Sequence, residues 1–171
     1  MPDDKGQHAE ALAWHDHLKE HLHGRVVILG VGNTMLGDDG VGSLIAQGLK
    51  GKIKADVFDC ATAPENYIGK ASKLNPDAIL IIDASLFGQK AGDIALFESD
   101  DIARTGFSTH NSPVSMCMDF MGGSVKADIL LLSVQPKSIA FDDNLTSEVR
   151  AAKNKIEGLL LSLLGVDKTQ N

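Results

Sequence analysis

Residues 25–42 read RVVILGVGNTMLGDDGVG, and this stretch decides the fold. Residues 25–31 are an apolar run rich in β-branched side chains, which is typical of a strand buried on both faces. A glycine-rich turn follows, and apolar residues then recur at helical spacing, namely Val41, Leu44, Ile45 and Leu49. The stretch therefore predicts a buried strand that turns tightly into a helix.

The same alternation of strand and helix continues along the rest of the chain. Further strands are predicted at residues 55–60, 78–85, 92–97 and 127–134, and helices near Pro64 and at residues 100–104, 111–120 and 145–163. Strands separated by amphipathic helices indicate a parallel sheet with crossover helices on both faces. The short strand at 92–97 is expected at an edge. The predicted fold class is α/β, a three-layer sandwich.

Residues 1–24 differ from the rest of the chain in holding five of the six histidines. Apolar side chains recur there at helical spacing, namely Ala11, Trp14, Leu18 and Leu22. They predict an amphipathic helix that ends near Gly24 and packs on the surface of the domain. We therefore divide the chain into an N-terminal helical extension, residues 1–24, and a single α/β domain, residues 25–171.

The composition argues against several classes of protein. A formal net charge of −7 disfavours a nucleic-acid partner, because affinity for the phosphate backbone comes mainly from Lys and Arg. The apolar runs are too short to cross a bilayer, and the N-terminus lacks the pattern of a secretory signal. We therefore expect a cytoplasmic protein without membrane insertion. In a reducing compartment Cys60 and Cys117 are expected to be free and buried.

Three side chains with metal-binding groups lie next to predicted element ends. Asp39 follows the first strand, Asp83 ends the third, and His110 precedes the helix at 111–120. Because ligands of such sheets bind beyond the carboxyl ends of the strands, these groups could form an open site for a borderline divalent metal. Each also has a simpler interpretation. Asp38 or Asp39 could cap the helix that follows, Asp83 could be a turn residue, and His110 could be structural.

Two further motifs suggest other functions. The segment GVGNTMLG joins a strand to a helix, although its spacing is not G-x-G-x-x-G, and a nucleotide-binding module using residues 30–42 is one alternative. Residues 17–21, HLKEH, match the H-x-x-E-H pattern, so a zinc peptidase using His17 and His21 is another. That motif precedes the predicted sheet, and we favour its interpretation as a solvated polar helix face.

A serine or cysteine nucleophile is not favoured by the sequence. There is no G-x-S-x-G elbow, and outside the N-terminal extension His110 is the one histidine that Ser108, Ser112 or Ser115 could use. A hydrolase of either kind would have to share that histidine with the proposed metal site.

Four strings, in this order and at similar separations, resemble the nickel-iron hydrogenase maturation endopeptidases. They are GVGNTMLGDDGVG at residues 30–42, APEN at 63–66, IIDAS at 81–85 and THNSP at 109–113. The resemblance covers about residues 25–165. It implies a twisted, mostly parallel five-stranded sheet between helices, and it places Asp39, Asp83 and His110 at the family's metal-contacting positions.

By the same resemblance, the protein is an aspartic-type endopeptidase that removes the C-terminal extension of a nickel-iron hydrogenase large-subunit precursor after nickel insertion. The nickel belongs to the substrate, no permanently bound cofactor is expected, and the enzyme is expected to be a monomer. The APEN segment resembles the hydrogenase-3 branch, which serves hydrogenases of the formate-hydrogenlyase or energy-converting kind. A noncatalytic nickel chaperone with the same three ligands stays open as an alternative. Four methionines could give the large subunit an adaptable surface or fill the core, namely Met35, Met116, Met118 and Met121.

Overall fold

The computed structural model describes residues 4–104 and 112–166, with side chains from residue 13 onward, residues 103 and 104 excepted. The strands are Val26–Val31 (β1), Asp56–Ala61 (β2), Ala78–Ala84 (β3), Ile94–Glu98 (β4) and Asp128–Val134 (β5). The α-helices are Asp4–His21 (α1), Val41–Leu49 (α2), Ile68–Lys73 (α3), Ser99–Arg104 (α4), Pro113–Ser124 (α5) and Ser147–Leu164 (α6). Short 3₁₀ turns lie at Gly37–Gly40 and Pro64–Asn66.

The five strands form one sheet in the order β2-β1-β3-β5-β4. β1 pairs in parallel with β2 and β3, β3 pairs in parallel with β5, and β4 alone is antiparallel, at the outer edge of β5. The direction of β4 follows from the short connection at residues 85–93, since a parallel return needs a crossover of about a dozen residues or more. The predicted three-layer sandwich with a mostly parallel sheet is confirmed, and so is the edge position of β4.

Alternate residues of the buried strands face two separate helical layers. Val26 and Ile28 of β1 pack in the cluster formed with α1, α2 and α6, which we call the α1 face of the sheet. Val27 and Leu29 point to the opposite side and pack with α3, α4 and α5, which we call the α5 face. Each such side chain stabilises the fold by roughly 1.5–3 kcal/mol on burial. This burial on both faces explains why β1 reads as a continuous apolar run.

The predicted N-terminal helix is present as α1, and it ends at His21. Its Trp14 is 6% exposed and its Leu18 fully buried, and both belong to the same core cluster as β1 and α6. The helix lies against the edge strand β4. The apolar residues of α1 therefore contribute to the main core of the protein.

Several element ends differ from the sequence prediction for local reasons. The helix predicted near Pro64 begins as the 3₁₀ turn Pro64–Asn66, and the α-helix follows at Ile68. The closing helix begins at Ser147 and not at residue 145, because Thr146 is bonded to another part of the chain. Among the residues that the structure describes, no helix combines the length and the apolar character needed to cross a membrane.

Candidate active site

The glycine-rich turn after β1 presses the start of α2 onto the sheet. A Cβ atom at Gly42 would lie 2.1 Å from the Ile82 carbonyl oxygen and 2.3 Å from that of Val31. At Gly32, where φ is +151°, it would lie 1.9 Å from the carbonyl oxygen of Asp39. These glycines permit close packing of the chain on itself, which accounts for the pattern without a bound dinucleotide. The same packing brings Asp39 to the end of β3.

Asp39 and Asp83 are neighbours at the carboxyl edge of the sheet. The half-buried Asp39 carboxylate accepts a hydrogen bond of 3.0 Å from the backbone N–H of Asn33. Asp83 lies in β3 opposite Ser133 of β5, and its Oδ1 accepts a 2.9 Å bond from the Ala84 N–H. Burial raises the pKa of Asp83 well above its usual range, and the nearby charge of Asp39 raises it further, although the Ala84 N–H acts in the opposite direction.

This arrangement of the two acids favours a positive ligand. Ionised carboxylates that share a partly buried site repel one another, and a cation between them removes that cost. No other described residue donates a hydrogen bond to Asp39 Oδ1 or Asp83 Oδ2. An oxygen of each acid is thus available for coordination, which is the donor chemistry that divalent metals accept.

Asp38, next to Asp39 in the sequence, has a different role. Its fully buried carboxylate accepts hydrogen bonds from the backbone N–H groups of Lys137, Ser138 and Thr146, and from the Thr146 hydroxyl. Burial alone would raise the pKa of Asp38, but these bonds outweigh it and lower the pKa. Asp38 therefore fastens the connection between β5 and α6 to the glycine-rich turn.

The interpretation of Asp38 or Asp39 as a helix cap is wrong. The residue at the N-cap of α2 is Gly40, and no side chain accepts a capping hydrogen bond there. Asp38 bonds to the β5–α6 connection, and Asp39 bonds back to Asn33. The Asp38 contacts could not be predicted from the sequence, because the partners of Asp38 lie about a hundred positions further along the chain.

His110 lies outside the described residues, so its convergence with Asp39 and Asp83 stays a prediction. The helix that follows it is present as predicted, and its own first residues anchor it: Ser112 caps α5 by accepting a 3.1 Å bond from the Ser115 N–H, and Pro113 occupies the first turn. α5 packs against the turn Pro64–Asn66, which follows β2 at the carboxyl edge. Since α5 ends at Ser124, four residues before β5 begins, the start of α5 lies toward the carboxyl edge that holds the two acids.

Neither of the two cysteines forms a nucleophilic site, and neither do Ser112 and Ser115. Cys60 and Cys117 are free and buried, as predicted. Burial raises the pKa of the Cys60 thiol to about 12 and that of Cys117 to about 11, so both stay protonated near neutral pH. Ser112 serves as the α5 cap and Ser115 is buried, while Ser108 lies outside the described residues.

The H-x-x-E-H histidines lie elsewhere on the molecule. His17 and His21 meet Glu98 of β4 in a group that we call the histidine cluster (His17, His21 and Glu98), while Glu20 is exposed. His21 also contacts Asp128, the first residue of β5, whereas Asp83 pairs with Ser133 near its end. At about 3.3 Å per residue the two sites are separated by roughly 17 Å along β5. The histidine cluster is thus not part of the candidate active site.

Fold and site together define a class: a small three-layer α/β domain with a pair of acids at the carboxyl edge of a parallel sheet, next to a glycine-rich turn. A family model described as hydrogenase maturation protease matches residues 40–163 of the chain. The protein belongs to the hydrogenase maturation protease family and is an enzyme, a protease. The matched segment contains Asp83 and His110 and begins one residue after Asp39.

Individual relatives agree with this assignment. The hydrogenase 3 maturation protease of Escherichia coli K12 is 35% identical over 129 residues, which cover 74% of this chain and 82% of the relative. The crystal structure of the [NiFe] hydrogenase maturation protease HycI from Thermococcus kodakarensis superposes with a TM-score of 0.78 at 26% identity, over 86% of this chain and 97% of the other. The solution structure of the E. coli endopeptidase HycI gives a TM-score of 0.72 at 32% identity, over 81% and 90% of the two chains.

Proposed function

We propose that the protein removes the C-terminal extension of a nickel-iron hydrogenase large-subunit precursor after nickel insertion, and that it recognises the nickel through Asp39, Asp83 and His110. The hydrogenase is of the hydrogenase-3 kind, and the reaction takes place in the cytoplasm. The nickel is part of the substrate, and the enzyme keeps no cofactor of its own. Membership of the hydrogenase maturation protease family supports the reaction.

The observation that carries the nickel-recognition part is the Asp39–Asp83 pair. Burial and, to a lesser extent, the charge of Asp39 raise the pKa of Asp83, so the metal-free site is electrostatically unfavourable when both acids are ionised. A nickel ion on an incoming substrate would supply the missing positive charge. The same ion identifies the substrate and neutralises the repulsion between the two carboxylates, so that binding is strongest when the substrate carries its metal.

Exposed apolar side chains surround this edge and offer a surface for the large subunit. Phe141 is 75% exposed and Met35 is 56% exposed, and the Asp142 N–H donates to the Met35 carbonyl, which keeps the two segments together. Leu86, after β3, is exposed as well. Exposed apolar groups of this kind mark surfaces that bind other proteins. Of the other methionines named above, Met116 is exposed, whereas Met118 and Met121 fill the core.

Two routes of peptide-bond cleavage fit these residues. The substrate's metal either activates a water molecule or polarises the scissile carbonyl, and Asp39 and Asp83 hold that metal in place. A serine or cysteine route has no support, because the buried thiols of Cys60 and Cys117 stay protonated and Ser112 is engaged as a cap.

The proposed ligand set is tested by mass spectrometry of nickel-loaded precursor after incubation with enzyme variants. Asp39→Asn removes a charge and His110→Ala removes a ligand. Each variant should abolish the loss of the C-terminal extension. Asp143→Asn is the matched control, since this exposed acid lies in a loop near the same edge and should cleave normally. Full cleavage by both site variants would refute the ligand set. Transfer of nickel without any change in precursor mass would instead establish the chaperone alternative.

A further inference from the structure

The histidine cluster brings three metal-binding side chains to one point on the α1 face. The His17 Nε2 atom lies 2.8 Å and the His21 Nε2 atom 3.2 Å from the same oxygen, Oε1 of Glu98. All three ligand atoms lie within 4.8 Å of one another. Bonds of about 2.0–2.2 Å to a tetrahedral metal separate its ligands by roughly 3.3–3.5 Å, so small side-chain movements would admit an ion.

The sequence and the sheet register explain why these side chains meet. His17 and His21 are four residues apart and so share one face of α1, beside the buried Leu18. On β4, Glu98 follows Leu96 by two residues, so strand alternation directs it to the α1 face with Leu96. Packing of Leu18 in the core therefore fixes the helix above the strand position that supplies the carboxylate.

Asp128 contacts the His21 ring on the side that faces away from Glu98. Its Oδ2 lies 3.0 Å from His21 Nδ1, on the opposite side of the ring from the nitrogen that faces Glu98. A carboxylate that accepts the Nδ1–H bond holds the neutral ring in the tautomer whose Nε2 lone pair is free for a metal. This pattern of carboxylate, histidine and ligand position accompanies metal-bound histidines generally.

The cluster is also accessible from solvent and lies in negative surroundings. The side chains of His17 and Glu98 are 43% and 41% exposed, which leaves a route for a hydrated ion. An open cavity of about 150 Å³ adjoins His21 and Glu98 and is lined by Asp100 and Asp128 as well. That volume accommodates several water molecules, since each takes about 30 Å³ in the liquid. Coordination positions not filled by the protein would be filled by water.

We propose that His17, His21 and Glu98 form a binding site for a borderline divalent transition metal such as Zn²⁺ or Ni²⁺, with Asp128 as a positioning residue. Two imidazoles and one carboxylate suit these ions and not Mg²⁺ or Ca²⁺, which select oxygen ligands. The bound ion ties α1 to β4, on the far side of the sheet from Asp39 and Asp83. The site is independent of the peptidase reaction.

Isothermal titration of the full-length protein with ZnCl₂, and separately with NiCl₂, tests the proposal. The wild type and Asp83→Asn should both show a saturable site and a rise in melting temperature on metal addition. In the Asp83→Asn background, which removes a ligand of the candidate active site, His21→Ala and Glu98→Gln should lose both signals. His15→Ala is the control for nonspecific binding by other histidines, and it should retain both the saturable site and the rise in melting temperature. Equal loss with His15→Ala, unchanged binding by Glu98→Gln, or no saturable binding by the wild type would overturn the proposal.

Asp128→Asn tests the positioning role separately. It should weaken Zn²⁺ binding by roughly 10–100-fold, the range found for second carboxylates behind metal-bound histidines, without changing the melting temperature of the metal-free protein. Nitrogen NMR of the imidazoles supplies the signature: Zn²⁺ should shift the Nε2 resonances of His17 and His21. Shifts confined to Nδ1, or wild-type affinity in Asp128→Asn, would contradict this assignment.

Discussion

The Asp38→Asn variant should unfold at a much lower urea concentration than the wild type, whereas the Asp39→Asn variant should unfold near the wild-type concentration. The Asp38 oxygens accept bonds of 2.9 and 3.1 Å from the N–H groups of Lys137 and Ser138, and of 2.8 Å from that of Thr146. An asparagine can keep one oxygen in place, but its NH₂ group must then face at least one buried N–H donor.

The expected size of the effect follows from those contacts. Loss of a hydrogen bond to a charged acceptor costs about 1.5–3 kcal/mol, and the unpaired donor adds about 1–3 kcal/mol, so Asp38→Asn should lower the free energy of unfolding by about 2.5–6 kcal/mol. That is a large fraction of the roughly 5–15 kcal/mol of a typical domain. Asp39 is half-buried and accepts a bond from Asn33, and Asp39→Asn should cost at most about 1 kcal/mol.

Urea titrations followed by the fluorescence of Trp14, the single tryptophan, measure both variants. The pH dependence adds a second readout. Because the folded-state pKa of Asp38 is lowered, its stabilisation is complete above the unfolded pKa of about 3.9 and is lost as pH falls through the folded value. Asp38→Asn should lack this acid-dependent loss. A free energy of unfolding within about 0.5 kcal/mol of the wild type, the usual scatter of surface substitutions, would refute the structural role of Asp38.

Three further predictions concern other parts of the molecule. Asp83→Asn should abolish cleavage and should stabilise the metal-free protein at neutral pH by about 0.5–2 kcal/mol in urea titrations. Because the folded-state pKa of Asp83 is raised, its ionisation costs stability once pH rises above the unfolded aspartate pKa of about 3.9, and the variant lacks that cost; a destabilised variant would contradict this. The double variant His17→Ala/His21→Ala should cleave nickel-loaded precursor at the wild-type rate, and loss of cleavage by a folded sample would place the N-terminal histidines in the reaction. Leu18→Ala should lower the free energy of unfolding by about 2–5 kcal/mol, since Leu18 is fully buried, and a change below about 1 kcal/mol would show that α1 adds little to the core.

Most of the fold could be predicted because hydrophobic periodicity reports burial directly. The continuous apolar run of β1 and the stripes of α2 and α6 identify the buried strand and its covering helices. The antiparallel direction of β4 was not specified by its own residues, since it follows from the short connection before it and from its pairing with β5. Element ends such as Ser147 also escaped prediction, because a tertiary contact of Thr146 sets the boundary.

The candidate site was predictable only in part. Asp83 could be found because it ends an apolar strand, and Asp39 because it follows a glycine-rich turn. The difference between Asp38 and Asp39 was not visible in the sequence, where the two acids are adjacent and chemically identical. Glu98 in the histidine cluster was missed for a similar reason: it reaches His17 and His21 only through the packing of α1 on β4.

The most direct test of the proposed function compares nickel-loaded and nickel-free large-subunit precursor, each incubated with the wild-type enzyme and weighed by mass spectrometry. If nickel supplies the charge that Asp39 and Asp83 accept, the nickel-loaded precursor should lose its C-terminal extension in a single cut and the nickel-free precursor should keep its full mass. Equal cleavage of the two precursors would contradict recognition of the metal, even though the protein would still be a protease.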